Sequence, residues 1–380
     1  MHITEENSPE VIKDWLKEIP NYEGIYQGRG IVMVAGGDRY LTNAYASIRL
    51  LRDKGCTLPI QVWYLGINEE RPEIQREIEK WDVEFVDAHK VNEQLTTPHT
   101  HLNGWECKPF AIIHSRFQHV LFLDADVFVD KDPEFIFDSA EYKTHHAIYM
   151  PDFNIMGTDR SFWKIFGIQY REEPEFESGI IFINKEKCWN ALNLANKICE
   201  YGTRFYFNHI HGDKDSFRAA HHITHTDFYQ EKQPIKRLRG TMVQHWQHEP
   251  IFYHRNMDKL HIMGNEPSKY FANEEQIFQY VKELRQIYNP YILKNSICFD
   301  KNESYEYIRV GLDRRRLILG PDYKIVKGNK KMESYYCIMD ERLYIMSEDG
   351  EITASLQKWD DGWIGRWQNH ERCITILERR

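Results

Sequence analysis

Apolar positions come in short blocks along the first half of the chain, and helical spacing separates the blocks. GIVMVAGG (30–37) is an apolar run of strand length that ends in two glycines. TNAYASIRLLRDKG (42–55) has helical spacing, with Thr42 placed to cap its start and Gly55 just past its end. LPIQVWYLG (58–66) and VEFVDA (83–88) read as strands on either side of a polar helix, EERPEIQREIEKW (69–81). A helix starting near Pro109, where proline suits the first turn, leads into a fourth strand, HVLFLDAD (119–126). Strands that alternate with helices need parallel crossovers, and a strand as apolar as VLFL is buried on both faces. The pattern predicts an α/β fold, a mixed and mostly parallel sheet flanked by helices.

The middle is less regular. Strands are expected at 145–153 and 177–186, and helices at 187–202, 213–222 and 274–288. Beyond Asn289-Pro290 the pattern becomes short alternating strands separated by turn residues, which predicts a C-terminal β-rich extension. The expected division is an N-terminal extension (1–29), an α/β domain (30–295) and a β-rich domain (296–380). Trp359, Trp363 and Trp367 read as core of the last domain, with a sugar-stacking platform as the alternative.

Charge narrows the partners. The formal net charge of the 380 residues is -9 with both signs interspersed. That argues against nucleic acid and against anionic membranes as partners. No run reaches the ~20 apolar residues of a transmembrane segment, and the first residues lack a secretory leader. The seven cysteines are dispersed without a CxxC pair. Together these features predict a cytoplasmic protein with reduced thiols. Oligomeric state leaves no mark on the sequence.

Chemistry concentrates where the fourth strand ends, at Asp124-Ala125-Asp126. In extended backbone, residues i and i+2 share a side, so the strand would deliver two carboxylates to the edge where open α/β sheets bind ligands. Like charges there call for a cation, and carboxylate oxygens suit Mn²⁺ or Mg²⁺ with positions left for phosphate oxygens. Gly36 and Gly37, after Ala35, would let the backbone approach a nucleotide, although GGDRYL lacks the GxGxxG spacing. Tyr40 is placed to stack on a base.

The segment 104-GWECKPFAIIHSRFQHVLFLDADVFVDKDPEFIF-137 resembles the core of GT-A fold glycosyltransferases. It is most similar to the fungal-type α-mannosyltransferase family and more distantly to glycogenin-like retaining enzymes. The elements that carry the likeness are Lys108 on a helix, Leu123-Asp124-Ala125-Asp126, and Asp132-Pro133 with Phe137. The likeness continues through 177-ESG-179, 212-GDKDSF-217 and 244-QHWQHEPIFYHRNMDKL-260. It implies a metal-dependent retaining hexosyltransferase acting on a nucleotide-sugar, GDP-mannose first and a UDP-hexose second, with a carbohydrate acceptor. It further implies Asp124, Asp126 and His254 as metal ligands, with His245 and His248 as competitors for the histidine role. Lys108 would lie by the donor phosphates, and Glu177, Ser178 and Gly179 beside the donor sugar. Asp213 and Asp215 would hold hydroxyls. Glu177 and Asp215 are the carboxylates to test for a covalent intermediate, with front-face attack as the other route.

Rival readings remain. One is a non-catalytic glycan-binding protein working through its β tail. Another is a phosphohydrolase, which would want its DxD after the first strand. His221 and His225 have the i, i+4 spacing of a zinc pair, but no HExxH glutamate or nearby cysteine accompanies them.

Overall fold

A computed structural model describes residues 2–260, 262, 271–339, 341–348, 352–367 and 373–380. The chain forms two compact units, Met1–Lys259 and Leu260–Arg380.

The strands of the first unit are β1 (Arg29–Val34), β2 (Ile60–Tyr64), β3 (Val83–Asp87), β4 (His119–Leu123), β5 (Val127–Val129), β6 (Ala147–Ile155), β7 (Pro174–Asn184), β8 (Tyr229–Gln230), β9 (Lys236–Leu238), β10 (Thr241–Trp246) and β11 (Glu249–His254). Seven of them form one sheet in the order β3-β2-β1-β4-β7-β6-β8, and β5-β11-β10-β9 form a second. The first four strands of that order pair in parallel. β7 runs antiparallel to both β4 and β6, and β8 is parallel to β6. This is the expected GT-A-like arrangement, mixed and mostly parallel. Its central strands are buried along nearly their whole length.

The helices are α1 (Ser8–Glu18), α2 (Gly37–Asp53), α3 (Pro72–Glu79), α4 (Ala88–Glu93), α5 (Cys107–His114), α6 (Ala140–His145), α7 (Phe162–Phe166), α8 (Trp189–Glu200) and α9 (Gly212–Thr224). Two have the side-chain caps their sequences offer. Asp87 accepts from the backbone N–H of His89 and Lys90 at the start of α4, and Ser139 from Tyr142 at α6. Thr42 is no cap. α2 begins at Gly37, directly after the glycine turn, and the Thr42 hydroxyl donates to Asp38 O inside the helix. α5 likewise begins at Cys107 rather than at Pro109. The N-terminal segment is part of this unit, because Val11, Ile12 and Trp15 of α1 join its main core.

α10 (Glu274–Asn295) precedes an antiparallel sheet made of β12 (Glu303–Arg309), β13 (Asp313–Leu319), β14 (Ile325–Lys327), β15 (Tyr335–Met339), β16 (Arg342–Met346), β17 (Ile352–Trp359), β18 (Gly362–Trp367) and β19 (Ile374–Arg379). The helix was expected in the first domain, but it belongs to the second unit, whose boundary falls at 259/260 rather than 295/296. The Asn-Pro pair misled because the helix runs on through it. The sheet order is β14-β13-β12-β19-β18-β17-β16-β15. Tyr307, Leu317, Leu343, Leu356 and Leu377 fill its core. Trp363 is buried there and Trp367 packs on its margin, whereas Trp359 is half exposed. Within this unit Glu333 is buried between Arg309 (3.2 Å) and Arg315 (2.9 Å).

Candidate active site

β4 stops at Leu123, so Asp124 and Asp126 stand in a turn rather than in extended backbone. Val127 N donates to Asp124 O (3.0 Å) and closes the turn. The two carboxylates still converge, because flanking pairings hold both ends. Asp124 N donates to Gly179 O of β7 (2.8 Å), and Arg255 N donates to Asp126 O (2.9 Å). β5 pairs with β11 so that Val127 stands opposite His254.

His254 lies between acids. Its Nε2 is 3.4 Å from Asp126 Oδ1 and 3.7 Å from Asp124 Oδ2, while Nδ1 is 3.4 Å from Glu177 Oε1. Burial by itself would lower the imidazole pKa, but Asp126 and Glu177 outweigh it and hold it well above the ordinary value. Burial likewise pushes Asp126 up, yet His254 and Lys259 bring it below the usual carboxylate range. For Glu177, His254 overcomes burial, and the carboxyl falls to about 2. Burial wins only at Asp124, whose pKa is raised although Lys108 and His254 oppose. Both Glu177 oxygens are engaged: Gly179 N donates to Oε1 (2.9 Å) and Gln244 Nε2 to Oε2 (3.0 Å).

Gly179 explains why this cluster is so tight. A Cβ there would stand 2.7 Å from His254 Cε1 and 3.1 Å from Asp124 Oδ2. Glycine is required by close approach, not by backbone conformation.

Lys108 is buried beside the turn. Its Nζ is 3.1 Å from Asp124 Oδ1 and 2.9 Å from Asp213 Oδ2, and it donates to Ser178 O (2.9 Å) and Ser178 Oγ (3.1 Å). Burial disfavours the ammonium, yet Asp124 and Asp213 keep its pKa above the ordinary lysine value. Lys259 Nζ donates to Asp126 Oδ2 and, at 3.1 Å, to Asn256 O.

These groups floor a cavity of about 970 Å³. Its lining includes Ala35, Gly36, Tyr40, Leu65 and Glu69 from β1 and the segments beside it, Lys108, Asp124, Ala125, Asp126, Glu177, Ser178 and Lys259 around the turn, and Trp105, Phe207, Asn208, His211, Asp213 and Lys214 at and near the start of α9. Gly37 is not in the lining; its N–H donates to Glu69 O (2.7 Å). Asp215 is outside it as well. That carboxylate is fully buried and accepts from His211 N (2.8 Å), which gives it a turn-holding role instead of the expected contact with hydroxyls. None of His245, His248 and His254 is in the lining, but His254 stands directly behind Asp124 and Asp126, whereas His248 Nδ1 bonds Gln233 Nε2 (2.7 Å). His221 bonds Tyr149 OH (2.9 Å) and Thr226 O (3.0 Å), as a core histidine does, and His225 ends α9. Lys259, Glu106, Trp105 and Gln244 were not singled out from sequence. All four lie inside the 104–137 and 244–260 segments that carry the family likeness, but none has a spacing signal of its own.

A divalent cation fits the donor set. Asp124, Glu177 and His254 each offer a ligand atom within 4.8 Å of the others. Glu177, however, faces Nδ1, and both aspartates face Nε2. Asp126 Oδ1 approaches Nε2 as closely as Glu177 Oε1 approaches Nδ1, 3.4 Å in each case.

The mannosyltransferase family matches residues 28–176 and 169–259, so the first unit is covered almost entirely. The chain belongs to this family and is a hexosyltransferase of the mannose-transferring class. It is 22% identical to the alpha-1,2-mannosyltransferase MNN5 of Saccharomyces cerevisiae over 87% of its own length and 67% of that protein's. It is 28% identical to the alpha-1,2-mannosyltransferase MNN21 of Candida albicans, over 52% of its own length and 38% of that protein's. Among solved structures, the glycosyltransferase LgtC aligns over 67% of this chain and 95% of its own, at 11% identity and a TM-score of 0.43. GlyE of Streptococcus pneumoniae aligns over 70% and 64%, at 14% identity and a TM-score of 0.41. Scores this low leave the fold to be read from the strand order itself.

The family overturns the expected cytoplasmic location, since fungal mannosyltransferases of the MNN type are lumenal Golgi enzymes. Dispersed cysteines were a poor guide. Six of the seven thiols are buried and all are free, and a buried thiol without a partner stays a thiol in either compartment. Among the described residues, no helix is long and apolar enough to cross a membrane.

Proposed function

We propose that the chain transfers mannose from GDP-mannose to a sugar hydroxyl with retention of configuration, using a divalent cation held by Asp124, Asp126 and His254. One observation carries this reading: two lysines and two aspartates, with His254 behind the aspartates, converge on a cavity large enough for a nucleotide-sugar. The cation would stabilise charge on the departing diphosphate. The alpha-1,2-mannosyltransferase relatives favour mannose over the UDP-hexose alternative.

The rest follows from the chain's own residues. Lys259 and Lys108 offer positive charge where the diphosphate would lie. Ala35, Gly36 and the half-exposed Tyr40 ring line the cavity and would receive the base. Neither carboxylate expected as a covalent nucleophile both lines the cavity and lacks hydrogen-bond partners. Glu177 is bonded through both oxygens, and Asp215 lies outside the lining. This supports front-face displacement. The acceptor oxygen bonds to the anomeric carbon as the bond to the diphosphate oxygen breaks, the electron pair leaves with that oxygen, and the acceptor proton passes to it.

Calorimetric titration of GDP and UDP in Mn²⁺, followed by GDP-mannose turnover with a mannoside, tests the reading. GDP should bind at least tenfold more tightly than UDP, a difference of about 1.4 kcal/mol. Preference for UDP, or equal binding with and without Mn²⁺, would refute the donor or the metal respectively.

A further inference from the structure

The part of the lining supplied by Gly104–Glu106 and the start of α9 has features that the donor reading does not use. Trp105 belongs to a short 3-10 turn, Gly104–Glu106, and is 57% exposed although it lines the cavity. Its ring is braced from beneath by Gly212, the first residue of α9, where a Cβ would come within 2.7 Å of the indole. Gly212 also has a φ of +64°, so a larger residue is excluded twice over. Phe207 meets the ring edge-on at 5.4 Å. A large aromatic ring is therefore held rigidly in an open position.

Next to it, Glu106 is 3% exposed and lines the same cavity. Its Oε1 accepts no hydrogen bond, and His101 Nε2 stands 3.5 Å away. A buried carboxylate oxygen without a donor is costly unless a ligand supplies one.

We propose that Trp105 and Glu106 form the acceptor subsite, the indole stacking on the apolar C–H face of a pyranose while Glu106 Oε1 accepts its hydroxyl hydrogens. The ligand class is a glycan ending in a hexopyranose. The elements that carry these residues fit an acceptor better than a base. The strand order sets β1, with Ala35 and Gly36, on one side of β4, and β7, with Ser178, on the other. Trp105 packs on α9, which supplies Asp213 and Lys214 to the lining. Lys214 is fixed there by Asp152 (2.5 Å) and Glu175 (2.8 Å), so charged groups held in place accompany the one aromatic face. The assignment rests on the donor reading above.

The test uses the full chain as wild type, Trp105→Ala, Trp105→Phe and Glu106→Gln. Binding of methyl α-mannopyranoside is read by saturation-transfer NMR without nucleotide, and GDP binding in Mn²⁺ by calorimetry. Trp105→Ala should weaken mannoside binding about tenfold and Trp105→Phe about threefold, the scale of an aromatic contact. Glu106→Gln should weaken it also, with the GDP dissociation constant held within about twofold in all three, well under the tenfold stacking effect. Unchanged mannoside binding in Trp105→Ala overturns the proposal. So does a parallel loss of GDP affinity, which would make Trp105 a platform for the base. A wild type that binds GDP but no pyranoside sinks the subsite alone. A wild type that binds the mannoside through Trp105 but no GDP sinks the donor reading and leaves the subsite standing.

Discussion

Gly179→Ala is the sharpest probe of the metal assignment. The added Cβ would stand 2.7 Å from His254 Cε1, 2.9 Å from Nδ1 and 3.1 Å from Asp124 Oδ2. Ordinary contact begins near 3.4 Å, so the imidazole must retreat by about 0.7 Å, on the scale at which site geometry fails. It has little room to do so, being 4% exposed and confined between Glu177 and the two aspartates. The backbone raises no objection, since Gly179 is not at positive φ. Overpacking of this kind costs about 1–3 kcal/mol in stability. Displacing a ligand by such a distance should cost about 10–100-fold in Mn²⁺ affinity, as loss of an orienting partner does. Calorimetry of Mn²⁺ binding in the presence of GDP reads the second effect and urea unfolding the first. A folded variant that binds Mn²⁺ as tightly as wild type would refute the role of His254 as ligand.

Three further outcomes are expected. Lys108→Met should cost about 3–5 kcal/mol in urea unfolding, because Asp124 and Asp213 lose their shared buried cation; a loss below about 1 kcal/mol, the size of an exposed pair, would show that the pair is not desolvated. Lys185 is buried, with Nζ donating to Ile113 O (2.9 Å) and Ser115 O (2.5 Å) beneath the Tyr26 ring, and burial pushes its pKa from 10.5 down to about 6. Between those values the unfolded chain holds a proton that the folded chain lacks, so wild-type stability should rise with pH from 6.5 to 8.5 relative to Lys185→Met, by up to about 1.4 kcal/mol per unit; parallel curves would refute the shift. Residues 1–259 should fold alone and bind GDP with wild-type affinity, as expected of a compact unit with its own core; a chain of that length without a cooperative melt would contradict the division.

Much of the scaffold was legible because its strands are apolar without interruption. β1, β2 and β4 have to be buried on both faces, and that requirement dictates helices on either side. The paired aspartates were legible too, though for a different reason than the one that found them: a turn, not strand periodicity, brings them together. His254 was expected only through the family likeness, and the structure shows what places it: a strand that sets it opposite Val127. Sequence reasoning failed where long-range contact decides a role. Asp213 and Asp215 have the same residue type and almost the same position in the chain, yet one lines the cavity and the other holds His211. Trp105 and Glu106 sit in a three-residue turn whose placement depends on α8 and α9, far along the chain.

The antiparallel course of β7 has an evolutionary consequence. Leu123 pairs with Ile180, and the bond from Asp124 N to Gly179 O extends that ladder into the site. The groups that would do the chemistry are thus indexed by strand register. A one-residue slip would exchange the faces of β7 and remove Glu177 from His254. No gradual path leads through such a change. Trp105, Glu106 and His211 come from turns that no ladder indexes, so insertions and exchanges there leave the register untouched. Divergence within this fold is free to rewrite which sugar is extended long before it can rewrite how the bond is made, and a library confined to 103–106 and 203–211 is the economical place to seek a new acceptor.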